Sequence, residues 1–320
     1  MTSTEQTSTM PAATLPAKRI HLLDAARGVA LIAMAIYHFT WDLDYFGYVP
    51  SGLSTTGGWA IFAHMITGSF LFIAGYSLYM AHGKSLRLTS FSKRLIILVA
   101  ASAAISATSY FTTPGAVIYF GILHNIAAAS VIGLLFVRAP VLLTFAAAIA
   151  VYALPHYVRF EFLDPSWLAW IGMAQQPPPS NDYVPLIPWL APFLAGIAVS
   201  KLSLAWLKRQ RQFPKKEGIL SFFGRHSLIF YLLHQPVLFG LVWSVSMFAP
   251  PDVTQAYLSS CQTSCELSDD QAFCKSYCAC TLNALEDEKL LTPLMRGATD
   301  DDDRVALGRI AMSCSIQQPE

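Results

Sequence analysis

The sequence predicts an all-α membrane protein, a polytopic bundle of about seven spanning helices followed by a small Cys-rich helical C-terminal domain. Hydrophobic residues make up 54% of the 320 residues and charged residues only 13%, against about 25% charged residues in a soluble domain. The apolar residues occur in blocks of about 20, the length that crosses a bilayer. All six cysteines follow Ser260 and none falls in an apolar block, which predicts a separate tail in an oxidising compartment.

The chain divides into three parts. Residues 1–20 are predicted to be a disordered cytoplasmic N-terminus, because Ser, Thr, Ala and Pro dominate them. Residues 21–250 form the membrane domain, and residues 251–320 form a Cys-rich periplasmic tail. The predicted spans are 22–44, 57–81, 91–112, 116–137, 140–160, 184–204 and 226–248.

Cationic residues mark alternate connections between these spans, which orients the bundle by the positive-inside rule. The connections without cations, such as 48–58, are then extracytoplasmic. This topology places the N-terminus in the cytoplasm and the C-terminus outside, in agreement with the cysteines. No basic cluster stands apart from the membrane flanks, so nothing indicates a nucleic-acid partner. The cations on the cytoplasmic side are Lys18, Arg19, Lys84, Arg87, Lys93, Arg94, Arg138, Lys201, Lys208, Arg209, Arg211, Lys215 and Lys216.

The first predicted span carries ionisable residues, each of which costs about 2.5 kcal/mol or more at membrane depth. Arg27 and His38 are eleven residues apart, close to three helical turns, so both side chains share one face, about 16 Å apart along the axis. Asp24 is placed to pair with Arg27. Asp42, one turn after His38, is placed to fix the tautomer of that imidazole, as a general base requires. The alternative is a polar helix end in which His38 serves packing.

The fourth predicted span contains His124 and Asn125 near mid-membrane. An unpaired polar group is costly there, so both side chains are expected to face the bundle interior. A structural hydrogen bond to another helix and a place in a substrate cavity fit the sequence equally well.

The last predicted span opens with Arg225 and Ser227 and continues to Tyr231 and His234. Ser227, Tyr231 and His234 follow i, i+4, i+7 spacing and therefore share a face. Arg225 lies at the predicted cytoplasmic end, where a phosphate would meet both a guanidinium and a helix N-terminus. Ordinary positive-inside flanking also accounts for Arg225.

Cations at the cytoplasmic end and imidazoles higher in the membrane suggest a reaction divided across the bilayer, with an anionic donor inside and an acceptor outside. Two other functions use the same features. One is a multi-pass transporter or channel that moves a substrate past the buried polar residues, although the chain has no internal repeat of the inverted-repeat kind. The other is a membrane anchor whose working part is the Cys-rich tail.

The motifs of this chain resemble those of the transmembrane acyltransferases. LDAARG at 23–28, followed by His38, is similar to their opening signature, and GRHS at 224–227 with YLLHQP at 231–236 is similar to their closing signature. Three further segments resemble the bacterial branch grouped with heparan-α-glucosaminide N-acetyltransferase: YHFTWDL at 37–43, FGILH at 120–124 and DYVPLIPW at 182–189. Together they cover about residues 19–248.

The resemblance implies an enzyme of the bacterial inner membrane, surrounded by membrane lipids. It would move an acyl group, typically acetyl, from cytoplasmic acyl-CoA to a saccharide or lipid-linked acceptor outside the cytoplasm. His38 becomes the candidate catalytic base and Arg27 a donor-binding or structural cation. In lysosomal members the active histidine lies just after the first span, whereas residues 48–58 here contain none. Either His38 takes that role or the animal mechanism does not transfer.

The chemistry of acyl transfer suits the residues singled out above. A base must take the acceptor proton, for which His38 with Asp42 is the candidate. Phosphates of acetyl-CoA or another acyl-CoA would meet Arg27 and Arg225, with Ser227 beside them, and the basic 84–94 loop is available to them as well. Substrate and oxyanion contacts are assigned to His124, Asn125 and His234.

The tail has the spacing of a helical hairpin held by disulfides. Cys261 and Cys265 are four apart, as are Cys274 and Cys278, and residues four apart share a helix face. Bonds between Cys261 and Cys278 and between Cys265 and Cys274 would hold such a hairpin together. Cys280 would then pair with Cys314, one of the 15 pairings that six cysteines allow. A zinc site is the rival, but the tail has neither a CxxC pair nor a histidine, and no metal is expected.

Overall fold

The computed structural model describes residues 21–50, 52–210, 218–295 and 299–316. This part of the chain is helical, with one isolated β-bridge between Phe160 and Ala174. The predicted N-terminal segment 1–20 lies outside the described residues. The α-helices in chain order are α1 (His21–Tyr45), α2 (Gly57–His82), α3 (Leu88–Thr112), α4 (Ile122–Val137), α5 (Val141–Tyr157), α6 (Leu186–Gln210), α7 (Ile219–Arg225), α8 (Ser227–Phe248), α9 (Val253–Cys265), α10 (Gln271–Asp287), α11 (Leu291–Met295) and α12 (Asp301–Ile316).

Each predicted span contains one long apolar helix. By length and composition, α1, α2, α3, α6 and α8 are able to cross a membrane. Helices α4 and α5 are shorter, with 16 and 17 residues, so their crossing stays a prediction. The fourth span was predicted to begin at 116, but its helix α4 begins only at Ile122. A 3₁₀ turn at Pro114–Ala116 and a stretch of non-helical chain precede it. The short helix α7 was not predicted.

Helices α1 to α5 are joined by short connections, as antiparallel neighbours are, so α1 and α3 begin at one end of the bundle. The backbone contact of Gly28 in α1 with Leu220 in α7 places the start of α8 at the same end. We call this the near end, and the end where α1 stops the far end. The core forms where α4 and α6 pack against α2, around the fully buried side chains of Leu71, Phe193 and Ile197. Glycines allow the closest approach: a Cβ on Gly75 or Gly196 would overlap with a backbone carbonyl of the facing helix.

The two signature glycines pack α1 against α7 in the same way. A Cβ on Gly28 would overlap with the carbonyl oxygen of Leu220, and a Cβ on Gly224 would overlap with that of Asp24. The opening and closing motifs are therefore in direct backbone contact at the near end, although almost 200 residues separate them. This contact sets α8, which follows α7, beside α1.

Replacing Gly224 with alanine is expected to destabilise the protein by about 1–3 kcal/mol, because the added methyl group meets backbone and not a side chain that can rotate away. The melting temperature in detergent measures the effect. Gly240→Ala in α8 is the matched control, since no atom lies within 4 Å of a Cβ at that position. Equal melting temperatures for the two variants would contradict the packing described here.

The segment between α5 and α6 folds without an α-helix. It contains 3₁₀ turns at Glu161–Leu163 and Ala169–Ile171. Its small core of Leu163, Met173 and Ala174 packs against Ile187 at the start of α6. The segment thereby fixes where the chain enters α6.

The tail is a helical domain closed by three disulfides, Cys261–Cys278, Cys265–Cys274 and Cys280–Cys314. The predicted pairing is confirmed: α9 and α10 form the hairpin, and the third bond ties α12 to α10. Leu282, Leu285, Leu290, Leu291 and Ile310 form its core. The acidic run at 300–303 caps and starts α12, where Asp300 accepts a hydrogen bond from the N–H of Asp303.

Replacing Cys280 and Cys314 together with serine is expected to destabilise the tail by about 3–4 kcal/mol, because this bond joins residues 34 apart and restricts the unfolded chain most. The Cys265/Cys274 pair spans only 9 residues, and its removal is expected to cost about 1 kcal/mol less. Denaturant titration of the full-length protein, with unfolding of the tail detected by its cleavage with a protease, measures both losses of stability. A larger loss for the shorter loop would contradict this order.

Candidate active site

Two histidines meet inside the bundle, one from α1 and one from α8. The ring centroids of His38 and His234 are 4.9 Å apart, with an angle of 62° between the planes. Nδ1 of His38 and Nε2 of His234 are both buried, and each is without a hydrogen-bond partner in the described part of the chain. The ring that faces His38 is therefore an imidazole of α8 and not the predicted carboxylate of Asp42.

The tautomer of His234 follows from its backbone contact. Nδ1 lies 2.7 Å from the carbonyl oxygen of Tyr231, and a carbonyl only accepts, so Nδ1 carries the proton. In the neutral ring, Nε2 is then a bare lone pair. Nδ1 of His38 is unpartnered as well, and the described structure has no hydrogen bond between these two nitrogens. The His38 side chain as a whole is half-buried.

Asp42 is fully buried, but it binds α8 and not His38. Its Oδ1 accepts a hydrogen bond of 2.7 Å from Nε2 of Gln235. The other carboxyl oxygen and Oε1 of Gln235 have no partner among the described residues. The described chain has no hydrogen bond between Asp42 and His38, so this predicted pairing is wrong. On the neighbouring helix α8, Gln235 binds the carboxylate and His234 faces the imidazole.

A cavity of about 380 Å³ lies in the near half of the bundle. Arg27 and Arg94 are its charged lining residues, and Ser227 and Tyr231 contribute hydroxyl groups. The predicted shared face of α8 is confirmed for Ser227 and Tyr231, which both line this space. The remaining lining residues are apolar: Phe70, Ile73, Ala74, Ile97, Leu98, Ile122, Leu123, Ile126 and Leu228.

The two arginines differ in how they are held. Arg27 pairs with Asp24 at 2.7 Å, as predicted, and donates to Oγ of Ser77 at 2.5 Å. Arg94, on the second turn of α3, has no carboxylate within ion-pair distance in the described chain. Sequence reasoning offered Arg94 to the donor phosphates only as part of the basic 84–94 loop. Its place inside the predicted third span, 91–112, was the available signal that it reaches the cavity.

Arg225, the other predicted donor-binding cation, lies outside the cavity lining. It is exposed at the end of α7, 5.8 Å from the ring centroid of Phe222. The geometry therefore brings together Arg27, Arg94 and Ser227, and it leaves Arg225 at the rim of the near end.

His124 and Asn125 hold the start of α4. Nδ1 of His124 accepts from the N–H of Gly121 at 3.2 Å, and Nε2 lies 3.2 Å from Oγ of Ser106. Nδ2 of Asn125 donates to the carbonyl oxygens of Val184 and Pro185. The N–H groups of both side chains donate hydrogen bonds to protein acceptors, so neither side chain has a donor left for a substrate oxyanion. These contacts fit the first alternative of the sequence analysis, a structural hydrogen bond to another part of the protein.

No group of three or more His, Cys, Asp or Glu side chains within the described ranges is arranged to hold a metal ion. The described bundle thus offers a histidine pair between α1 and α8 and a cationic cavity, and Tyr231 both lines this cavity and binds His234 through its carbonyl oxygen.

Residues 19–236 match the family described as heparan-alpha-glucosaminide N-acetyltransferase, catalytic. The match covers α1 to the middle of α8, and therefore both histidines, both cavity arginines and the Asp42–Gln235 pair. No curated protein and no solved structure matches the chain. The tail from 251 onward falls outside the match.

Proposed function

Because the chain belongs to the family of the heparan-alpha-glucosaminide N-acetyltransferase catalytic domain, we propose that it transfers an acetyl group from acetyl-CoA to an amine or hydroxyl of an extracytoplasmic saccharide or lipid-linked saccharide. Membership supports a membrane acetyltransferase in general. The donor, the acceptor and the residues named below are proposals.

One observation carries this proposal: a histidine with a fixed tautomer contacts a second histidine beside a cavity that contains two arginines. General-base catalysis requires an oriented imidazole, and a phosphate-bearing donor requires cations next to an enclosed apolar space. The proximity of the two within one bundle favours acyl transfer over simple conduction of a substrate.

In the proposed reaction, the carbonyl oxygen of Tyr231 orients His234. Nε2 of His234 would then accept a hydrogen bond from Nδ1–H of His38, and neither of these two atoms has another partner in the described chain. Nε2 of His38 is then the base. The acceptor nitrogen or oxygen attacks the thioester carbonyl, its proton passes to Nε2 of His38, the C–S bond breaks, and the proton returns to the departing thiolate of CoA. Direct transfer is favoured because no cysteine nucleophile lies in the bundle.

The donor is proposed to enter from the near end. A cavity of about 380 Å³ is at the small end of the range for ligand pockets, which suits the acyl-pantetheine arm and leaves the nucleotide outside. Arg94 and Arg27 would meet the phosphates, and Ser227 a carbonyl of the arm. The metal-free chemistry of acyl transfer needs no further cofactor.

The proposed location is the bacterial inner membrane, with the N-terminus in the cytoplasm and the C-terminal tail in the periplasm. The positive-inside pattern supports this orientation, and so do the three disulfides of the tail, which form in oxidising compartments.

The test is an assay of purified protein in proteoliposomes with acetyl-CoA and glucosamine as the probe acceptor, together with mass spectrometry of envelope saccharides from cells with and without the protein. The expected result is release of free CoA in proportion to acceptor, and loss of acetyl groups from one class of envelope saccharide. Accumulation of an intact substrate without CoA release would instead identify a transporter. A phenotype that depends on the tail alone would identify an anchor.

A further inference from the structure

The contact between Asp42 and Gln235 leaves two sealed oxygen atoms without a donor. Asp42 is fully buried on α1, and its Oδ1 accepts a hydrogen bond of 2.7 Å from Nε2 of Gln235 on α8. Oδ2 of Asp42 and Oε1 of Gln235 are both buried, and neither has a partner among the described residues. Carboxylate and amide oxygens only accept hydrogen bonds, so neither atom can satisfy the other while Asp42 is ionised.

A proton on Oδ2 of Asp42 would supply the missing donor. A carboxylic acid and an amide are complementary, because the amide N–H donates to the carboxyl group and the carboxyl O–H donates to the amide oxygen. The first of these two bonds is present, from Nε2 of Gln235 to Oδ1 of Asp42. In the described chain Asp42 has no ion-pair partner, and an unpaired buried charge is relieved by uptake of a proton.

Asp44, two residues further along α1, shows how an ionised carboxylate of this helix is held. Its Oδ1 accepts from the N–H of Gly52 at 3.0 Å, and its Oδ2 accepts from the N–H and the hydroxyl group of Ser54 at 3.0 and 2.6 Å. Three donors thus meet Asp44, which suits a charged carboxylate. A single amide donor meets Asp42. The surroundings of the two carboxyl groups therefore satisfy different protonation states.

We propose that Asp42 carries a proton and forms an acid–amide pair with Gln235, and that this pair positions the two histidines of the candidate active site. Asp42 lies one turn after His38 on α1, and Gln235 directly follows His234 on α8. Hydrogen bonds between these two positions fix how the helices lie against each other where the imidazole rings meet, with ring centroids 4.9 Å apart. The site of the proton is inferred from the contacts alone, whereas the positioning role rests on the proposed function.

Replacing Asp42 with alanine is expected to lower kcat about 10- to 100-fold, because the helices lose their contact beside the histidines and the rings shift. Asp42→Asn should bring kcat back to within about threefold of the wild type, because an asparagine amide both donates and accepts, as a carboxylic acid does. A carboxylate that orients an imidazole predicts the opposite, since Asp→Asn in a catalytic triad lowers kcat about 10⁴-fold. Acceptor-dependent CoA release in proteoliposomes measures these rates.

Exchanging the acid and the amide between the two helices tests the pair as a unit. Gln235→Glu alone sets two carboxyl groups against each other, which disfavours ionisation of both, and it is expected to lower both kcat and the melting temperature. The double variant Asp42→Asn/Gln235→Glu restores an acid–amide pair with the acid on α8, and it should recover both quantities. Two unrelated structural losses would add instead.

Asp44→Asn is the matched control for the asparagine substitution. An asparagine at position 44 sets its NH₂ group against an N–H donor, so the melting temperature in detergent should fall by about 3–10 °C. The melting temperature of Asp42→Asn should equal that of the wild type, because no bond of the pair is lost. Equal losses in the two variants would show that both carboxyl groups are ionised, and would overturn the inference.

Infrared difference spectroscopy locates the proton without an assay of turnover. The spectrum of the wild type minus that of Asp42→Asn at neutral pH should contain the carbonyl band of a protonated carboxyl group. Bands of an ionised carboxylate in its place, or an Asp42→Asn protein as slow as Asp42→Ala, would overturn the inference and leave the proposed function intact. If the wild type shows no acceptor-dependent release of CoA, the proposed function and the positioning role fail, while the infrared band still decides whether Asp42 is protonated.

Discussion

Replacing His38 with alanine is expected to lower the turnover number by about 10²- to 10⁴-fold, the contribution of a positioned general base. His234→Ala should lower it less, by about 10- to 100-fold, because the base remains but its tautomer is no longer fixed. The double variant should be no slower than His38→Ala alone, since residues that act as one unit are not additive. Acceptor-dependent CoA release in proteoliposomes measures all three.

His64→Gln is the control for loss of a histidine from the bundle. His64 is exposed on α2 against Trp189, with ring centroids 5.5 Å apart, and it lies away from the histidine pair. Its turnover should match that of the wild type. Equal, additive losses for His38→Ala and His234→Ala would contradict the proposed relay from Tyr231 through His234 to His38.

Replacing Arg94 with glutamine is expected to raise KM for acetyl-CoA about 10- to 100-fold with little change in kcat. The guanidinium lines the cavity, no carboxylate of the described chain neutralises it, and a charge-assisted hydrogen bond to phosphate contributes about 1.5–3 kcal/mol. When a lost interaction was equally strong in the ground state and in the transition state, KM rises and kcat does not fall. Steady-state kinetics at varied acetyl-CoA, and at two salt concentrations, measure the effect.

Lys93→Gln is the matched control, because Lys93 carries the same charge on the adjacent residue of α3 but does not line the cavity. The salt dependence of KM should weaken in Arg94→Gln and persist in Lys93→Gln. If both variants bind acetyl-CoA equally well, the cavity is not the donor site, and only the histidine pair would support the proposed function.

The properties of single helices could be predicted from sequence. The eleven-residue spacing of Arg27 and His38 placed both on one inward face, and the ion pair of Asp24 with Arg27 follows from spacing alone. The disulfide pairing was predictable for the same reason, because helical spacing limits which cysteines meet across a hairpin. Local periodicity carries this information without any knowledge of the bundle.

Contacts between distant helices could not be predicted. The approach of His234 to His38 depends on the backbone contact of Gly28 and Gly224 with the facing helix, which no periodicity reveals. Asp42 was assigned to His38 because the sequence shows neighbours within one helix and not Gln235 on another. The hydrogen bond from the N–H of Ile122 to Asp182 likewise joins a connection to the start of α4, and only the fold brings the two together.

The central claim is that one bundle joins a donor on its near side to an acceptor on its far side through His38 and His234. The most direct test is a proteoliposome assay with radiolabelled acetyl-CoA on one side of the membrane and glucosamine on the other. We expect labelled acetylglucosamine in the acceptor compartment, with one free CoA retained in the donor compartment for each product formed, and we expect neither from the His38→Ala protein. Product that forms only when both substrates share a compartment, or intact acetyl-CoA that crosses to the acceptor side, would contradict the account.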